Sequence, residues 1–415
     1  MNEINRSITL SNPLSHITVL DLSRVLAGPW ASQILADLGA NVIKVERPGA
    51  GDDTRAWGPP FLQDEQGNDT RESGYYLIAN RGKKSISVDI KSAEGQEIIK
   101  MLARQADVVL ENFKVGTLGK LGLGYDDLRK INPRLIYCSI TGFGQSGPRK
   151  SQGAYDFMIQ AMGGIMSVTG EADHKPGGGP QKIGIPLIDL ITGVYASSAI
   201  LSALVHRNET GEGEYIDMAM LDVQVSLLAN QAMNYLLTDQ IPVRRGNNHP
   251  NIQPQRVYTC KDGQIILAVG SDGQFAKLCQ ILGHPDMAES DKFRTNAARV
   301  VNLSELDLFL DQALAKQDKS VLLKALEAAG VPSGPINNIA EVFKDPQVEH
   351  RGLLKKFAHP LRAQIPQVVN PFRFRNTELK LDRAPPTLGQ HNLEVLSALG
   401  YSDSDITRLK EQSVI

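Results

Sequence analysis

The chain has 415 residues, 41% of them hydrophobic and 22% charged, and a formal net charge of −2. That length is too great for one ordinary core, so two domains are expected, in a chain of ordinary globular composition. The near-zero charge gives no electrostatic case for a nucleic-acid partner. The cysteines, Cys138, Cys260 and Cys279, offer neither a disulfide framework nor a metal-ligand spacing and favour a reducing compartment.

The first sixteen residues are polar and lack the apolar region of a signal peptide. From Ile17 the chain reads as a nucleotide-binding βαβ unit. Ile17 to Leu22 is a buried-strand pattern, Ala31 to Leu38 carries apolar residues at helical spacing, and Asn41 to Glu46 is a second strand ending in an acid. A dinucleotide fold would place G-x-G-x-x-G after the first strand. This chain has Ser23-Arg24-Val25-Leu26-Ala27-Gly28-Pro29 there, so the frame suits a nucleotide-like cofactor but not NAD or FAD held in the usual way. Strand patterns continue at Ser85–Asp89, Asp107–Glu111 and Leu135–Ile140, with helices near 93–105 and 125–131. Such alternation predicts a mostly parallel sheet covered on both faces, with ligands at the carboxyl ends of the strands.

Residues 171–181 form a glycine- and proline-rich loop. The apolar stretch from Leu190 is interrupted by Thr192, Tyr195, Ser197, Ser198 and Ser202. A membrane span needs about 20 predominantly apolar residues, so a buried core helix and a cytoplasmic protein without a membrane partner are expected. The spacing predicts a second helical segment near 216–238. A change of character near Arg244 opens a smaller domain with a hairpin at Val257–Val269 and helices near 273–282 and 303–328. A proline-rich return, a closing helix and a polar tail follow.

The histidines are scattered, with no H-E-x-x-H, and neither a G-x-S-x-G elbow nor a Walker A loop is present. Asp189 stands at the junction of an extended stretch and the long apolar helix. On spacing alone a helix N-cap is the ordinary reading. The same geometry also suits a partly desolvated carboxylate able to attack an activated carbonyl. Tyr155 is either a tyrosine satisfied near a turn or a hydrogen-bond donor beside the reacting carbonyl. Arg47, Lys91 and Lys120, each alone a solvated charge, together would suit a cofactor with several phosphates, and Phe113 could stack on its base.

Several blocks in order resemble the class III CoA-transferases, the formyl-CoA transferase or carnitine/bile-acid type. They include VLDLSRVLAGPWASQILADLGANVIKVERPGAGDDTR, NRGKKSISVDIKSAEG, ADVVLENFKVGTLGKLGLGYDDL, AYDFMIQAMGGIMSVTG, IPLIDLITGVYASSAILSAL and GVPSGPINNIAEVFKDPQV. The resemblance implies that Asp189 attacks an acyl-CoA thioester, forming a mixed anhydride and then aspartyl-CoA. It implies CoA contacts at Leu26, Ala27, Arg47, Val88, Lys91, Asn112, Phe113 and Lys120, with CoA as substrate and no tightly bound cofactor. It further implies an α/β fold: a large Rossmann-like domain with a mostly parallel sheet, the domain being built from both chain ends, and a smaller α+β domain, in an intertwined homodimer. The expected division is 1–215 for the N-terminal part of the large domain, 216–239 for a helical linker, 240–330 for the small domain, and 331–415 for the return and the rest of the large domain.

The formyl and oxalate branch has a glycine run where this chain has Arg245-Gly246-Asn247-Asn248-His249-Pro250, which argues against those acids. ERPGAGDDTRAWGPPF is most similar to dicarboxylate members such as succinyl-CoA–glutarate transferases. A distal carboxylate is expected to meet Arg55, or Arg245 and His249. The alternative within the family is α-methylacyl-CoA racemisation. It needs a histidine where this chain has Tyr155, a poor base near neutrality with its ordinary pKa of about 10.

Overall fold

The structure is a computed structural model that describes residues 12–415. It forms two compact units. The first takes the described residues up to Gly163, with Gly184–Leu228 and Arg351–Ile415; the second takes Gly164–Ile183 and Ala229–His350.

The first unit is built on six parallel strands, β1 (Thr18–Asp21), β2 (Asn41–Glu46), β3 (Lys84–Ser87), β4 (Val108–Glu111), β5 (Ile136–Thr141) and β6 (Tyr215–Ala219). Their spatial order is β3-β2-β1-β4-β5-β6, the doubly wound order of dinucleotide-binding sheets. The central strands β2, β1 and β4 carry apolar residues on both faces because helices cover both. Val19, Val42 and Val108 face one core, while Leu20, Ile43 and Val109 face the other.

Helix α1 (Ala27–Asp37) belongs to the first of these cores, as does the 24-residue α5 (Leu187–Thr210), described below. On the other face lie α2 (Ala93–Gln105) and α3 (Tyr125–Ile131). Ser92 caps α2 by accepting from the Gly95 amide at 3.0 Å, and Ile98, Ile99 and Leu102 form its buried stripe. Between α3 and α5 runs the short α4 (Asp156–Met162).

The chain's end completes this unit. Helices at Asn392–Ala398 and Asp403–Glu411 put Val395, Leu396, Ile406 and Leu409 into the core under β3. His391 donates its amide to Ser85 O (2.9 Å) and accepts from Ser85 N through Nδ1 (3.1 Å), so the outer edge of β3 is covered. The stretch read as a polar tail is thus a capped amphipathic helix, its apolar positions too widely spaced to stand out among Ser, Asp and Lys.

Three further differences have local causes. The segment beginning at 216 is first a strand, β6, and only then a helix at Met220–Ser226. Five residues, YIDMA, carry too little β-branching to separate from the Met- and Leu-rich run that follows. Hairpins at Phe61–Gln63/Asp69–Ser73 and Leu354–His359/Arg362–Val368 lie in polar, proline-broken sequence that reads as loop. In the second unit the pattern at 303–328 is two helices, Leu303–Leu314 and Lys319–Ala328, with Asp318 as N-cap of the second. That unit otherwise packs a three-stranded antiparallel sheet (Gln255–Cys260, Gly263–Ala268, Ser333–Pro335) against helices through Tyr258, Ile265, Phe275, Leu306 and Leu326.

Helix α5 is long and apolar enough to cross a membrane by composition, yet Ile188, Thr192, Ala196, Ile200 and Leu204 are buried against α1 and the sheet. It begins three residues before the stretch that the sequence suggested and ends at Gly211, whose φ of 80° forms a left-handed cap. Gly193 sets how closely α5 meets α1: a Cβ there would lie 2.7 Å from Ala27 O and 3.0 Å from Trp30 Cδ1. In an open helix Gly→Ala would gain up to about 1 kcal/mol. Here Gly193→Ala should lower the Tm measured by circular dichroism, because backbone cannot yield to the added methyl. An unchanged or higher Tm would contradict this contact.

Candidate active site

The sheet reverses direction of growth between β1 and β4, and ligands of such sheets bind outside the strand ends at that point. The loop leaving β1 is held there by side chains rather than by glycines. Asn112, just past β4, accepts from Arg24 N (2.8 Å) and donates to Arg24 O (2.6 Å). Asp52 accepts from Val25 N at 3.3 Å. Val25 has φ of 69°, a left-handed conformation that a β-branched residue takes up only under external restraint. Lys44 supplies part of that restraint. Fully buried, it donates to Ser23 O and to Asp52, each at 2.9 Å. Leu26 and Ala27 are buried where this loop enters α1.

A cleft of ≈ 480 Å³ opens at the carboxyl ends of β1, β2 and β3. Arg24, Arg47, Val88, Lys91 and Phe113 are among its lining residues, and Ser413 from the chain's end joins them. Arg47 and Arg24 both reach Asp53, the latter at 3.3 Å, and the Arg24 guanidinium lies 4.9 Å from the Phe113 ring centroid. Four of the expected CoA positions, Arg47, Val88, Lys91 and Phe113, therefore line one cleft. Asn112 shapes its neighbouring loop. Lys120 is exposed on a 3₁₀ turn (Gly119–Leu121) and does not line it. Arg24, Asp53 and Ser413 are additions the sequence did not single out; only Arg24, at a strand end, had a signal.

Asp189 is the third residue of α5, not its cap. The N-cap is Pro186, which makes no side-chain cap bond. The capping role falls to Asp156, whose Oδ2 accepts from Ile188 N (2.7 Å) and Asp189 N (3.2 Å). The Asp189 carboxylate itself has no hydrogen-bond or ion-pair partner among the described residues. Burial, and then the charge of Asp156, push it up to about 7. Tyr75, on a helical turn at Gly74–Leu77, faces both carboxylates. Burial first, then Asp189 and Asp156, raise its phenol to about 12, so it remains a hydrogen-bond donor at neutral pH. No sequence pattern marks Tyr75. Gly193 lies one helical turn, ~6 Å of rise, beyond Asp189. It abuts Ala27 O, at the first residue of α1.

kcat/KM reports the free enzyme's groups, so if the Asp189 anion is the reacting group it sets the acid limb. Activity should rise through about pH 7, well above the ordinary aspartate range. A rate–pH profile flat from pH 5.5 to 8 would contradict this.

Tyr155 is the N-cap residue of α4 and 68% exposed, immediately before the aspartate that caps α5. Arg55 does not stand where a substrate could meet it. It is buried, with Nε and Nη2 on Glu46 at 2.7 and 2.8 Å, Nη1 on Glu72, and Nη2 also on Tyr76 Oη (2.6 Å) and Pro386 O (3.1 Å). Its donors are spent inside the protein, and its adjacency to cleft-lining residues in sequence hid this. Arg245 and His249 belong to the second unit. Arg245 is exposed. His249 uses Nδ1 to accept from Asn251 N and Ile252 N, both at 3.1 Å, which closes its own loop.

Removing one partner of a buried pair costs about 3–5 kcal/mol. Arg55→Ala should therefore lower Tm by on the order of 10 °C, with loss of activity toward all acids alike. A variant of normal Tm impaired only on dicarboxylates would return Arg55 to the substrate.

Comparison with known proteins shows the family. Residues 14–392 match CoA-transferase family III. The chain is 50% identical over 387 residues to a succinate–glutarate CoA-transferase of Agrobacterium fabrum, covering 93% of this chain and 96% of that one. It is 43% identical over 404 residues to a succinyl-CoA:glutarate CoA-transferase of Homo sapiens, covering 97% and 90%. A crystal structure of a CAIB/BAIF family protein from Brucella suis superimposes with a TM-score of 0.82 at 48% identity, covering 94% of this chain and all of that one. The chain belongs to CoA-transferase family III and is an acyl-CoA:carboxylate CoA-transferase.

Proposed function

We propose that this enzyme moves CoA between short dicarboxylic acids of the succinate and glutarate kind, with Asp189 as nucleophile. The observation that carries the mechanism is the Asp189 carboxylate left without a partner among the described residues while Asp156 takes the helix amides. An Asp189 oxygen attacks the thioester carbonyl carbon, the C–S bond breaks, and the electron pair leaves as CoA thiolate. The thiolate then attacks the Asp189 carbonyl of the mixed anhydride and releases the donor acid. The acceptor carboxylate repeats the two steps in reverse order and restores free Asp189. No net proton is needed, which suits a site whose nearest titratable neighbours are a second carboxylate and a protonated phenol. Tyr75 and Tyr155 are the hydroxyls assigned to the reacting carbonyl.

The nucleotide part of CoA is assigned to the cleft of Arg47, Val88, Lys91 and Phe113, its phosphates competing with Asp53 for the arginines. Leu26, Ala27 and Asn112 form the loop past which the thioester arm runs, and Lys120 is retained as an outer phosphate contact on the resemblance alone. The dicarboxylate preference is supported by the names of the two relatives. Arg245 and His249 remain its assigned readers, and Arg55 is dropped. An interlocked homodimer in the cytoplasm completes the reading. It is supported by a helix, Ala229–Thr238, that buries none of its side chains within the chain, leaving Leu236 and Leu237 exposed.

Incubation with succinyl-CoA and a panel of acids, with new acyl-CoAs detected by mass, tests this. Glutarate should be used well and butyrate poorly. Asp189→Ala should lose about 10³-fold or more of turnover without loss of folding, and Arg47→Ala should raise KM for all acyl-CoAs alike. A preference for butyrate would overturn the substrate class, and an active Asp189→Ala would overturn the mechanism.

A further inference from the structure

We propose that Asp156 is a positioning residue for Asp189: it occupies the amides at the start of α5 and thereby keeps the Asp189 carboxylate free, facing a second negative charge. The inference rests on Asp189 being the nucleophile.

A helix start presents unpaired N–H groups that attract any nearby anion. An aspartate in the first turn would ordinarily relax toward them and become a weaker base. In this chain those groups are already taken. Oδ2 of Asp156 accepts from Ile188 N at 2.7 Å and from Asp189 N at 3.2 Å. Oδ1 accepts from Gln160 Nε2, one turn along α4, so the carboxylate is fixed from its own helix as well. Asp156 is 8% exposed and Gln160 fully buried, which leaves the arrangement little freedom. The carboxylate serves two helices at once, standing in the first turn of α4 and at the mouth of α5.

The consequence is chemical. With its local donors occupied, Asp189 keeps its lone pairs for the thioester. When it attacks, its charge passes to the departing thiolate and the repulsion from Asp156 is relieved. The interaction therefore opposes the resting anion more than the anhydride, which is the condition for it to speed the step. The titratable groups facing Asp189 are Asp156 from α4 and Tyr75 from the turn at Gly74–Leu77.

The test is the kcat/KM–pH profile of Asp156→Asn with succinyl-CoA and glutarate. The amide oxygen still accepts from Ile188 and Asp189, but the charge is gone. The acid limb should move down by about one pH unit or more, with a several-fold lower plateau and a Tm close to wild type. An acid limb at the wild-type position would overturn the proposal. Should the asparagine variant fail to fold, Asp156→Glu keeps the charge and displaces the cap. By freeing the amides for Asp189 it should lower the plateau, and a plateau equal to wild type would overturn the proposal. Asp189→Ala separates the two readings. If it is active, the nucleophile is misassigned. If it is inactive while Asp156→Asn matches wild type, only the positioning role falls.

Discussion

Under the carboxyl edge of the sheet lie two ion pairs with no exposed side-chain surface, Lys44 with Asp52 and Lys83 with Asp21. Burial alone would push each aspartate up, yet the ammonium groups hold both below the usual range. The lysines fare differently. Lys44 has three acids around it and stays charged, whereas burial and the neighbouring Lys44 bring Lys83 down to about 8 despite Asp21. Such pairs add little net stability. What they supply is geometry. Asp21 fixes Ser23 and Ser32, Lys44 fixes Ser23 O, and Asp52 fixes Val25 and Thr54. The loops that shape the cleft are thus tied to the strands by charge, where a dinucleotide fold would rely on glycine.

That substitution explains the combination of a nucleotide-binding strand order with a loop that lacks the glycine fingerprint. The β1 loop does not need to bring backbone amides around a pyrophosphate, because Arg24, Arg47 and Lys91 stand at the cleft. In the proposed reaction its task is to bring the thioester past α1 to a carboxylate on α5. The close contact at Gly193 and the cap from Asp156 serve the same end from the other side.

Much of this was legible in the sequence. Five of the six strands show as strand patterns, the central ones as apolar runs because a parallel sheet is buried on both faces, and the family blocks point to Asp189. What remained hidden depends on partners distant in sequence. The helix cap was assigned to Asp189 because a carboxylate at a helix start is usually the cap, and nothing local shows that residue 156 fills the role. Arg55 reads as a loop charge because Glu72, Tyr76 and Pro386, which bury it, are 17 to 331 residues away. Tyr75 and Ser413 carry no signal, since one turn of helix and a chain end have no periodicity. Strand β6 was lost to its Met-rich successor.

The central claim is that Asp189 forms and breaks a covalent bond in every transfer. Turnover with an acceptor acid labelled with oxygen-18 in its carboxylates tests it most directly. When the acceptor's anhydride is cleaved by CoA, the bridging oxygen stays on the enzyme. After repeated turnover and proteolysis, mass spectrometry should find the label in Asp189 and in no other carboxylate. An unlabelled Asp189 in enzyme that has transferred CoA many times would contradict the account.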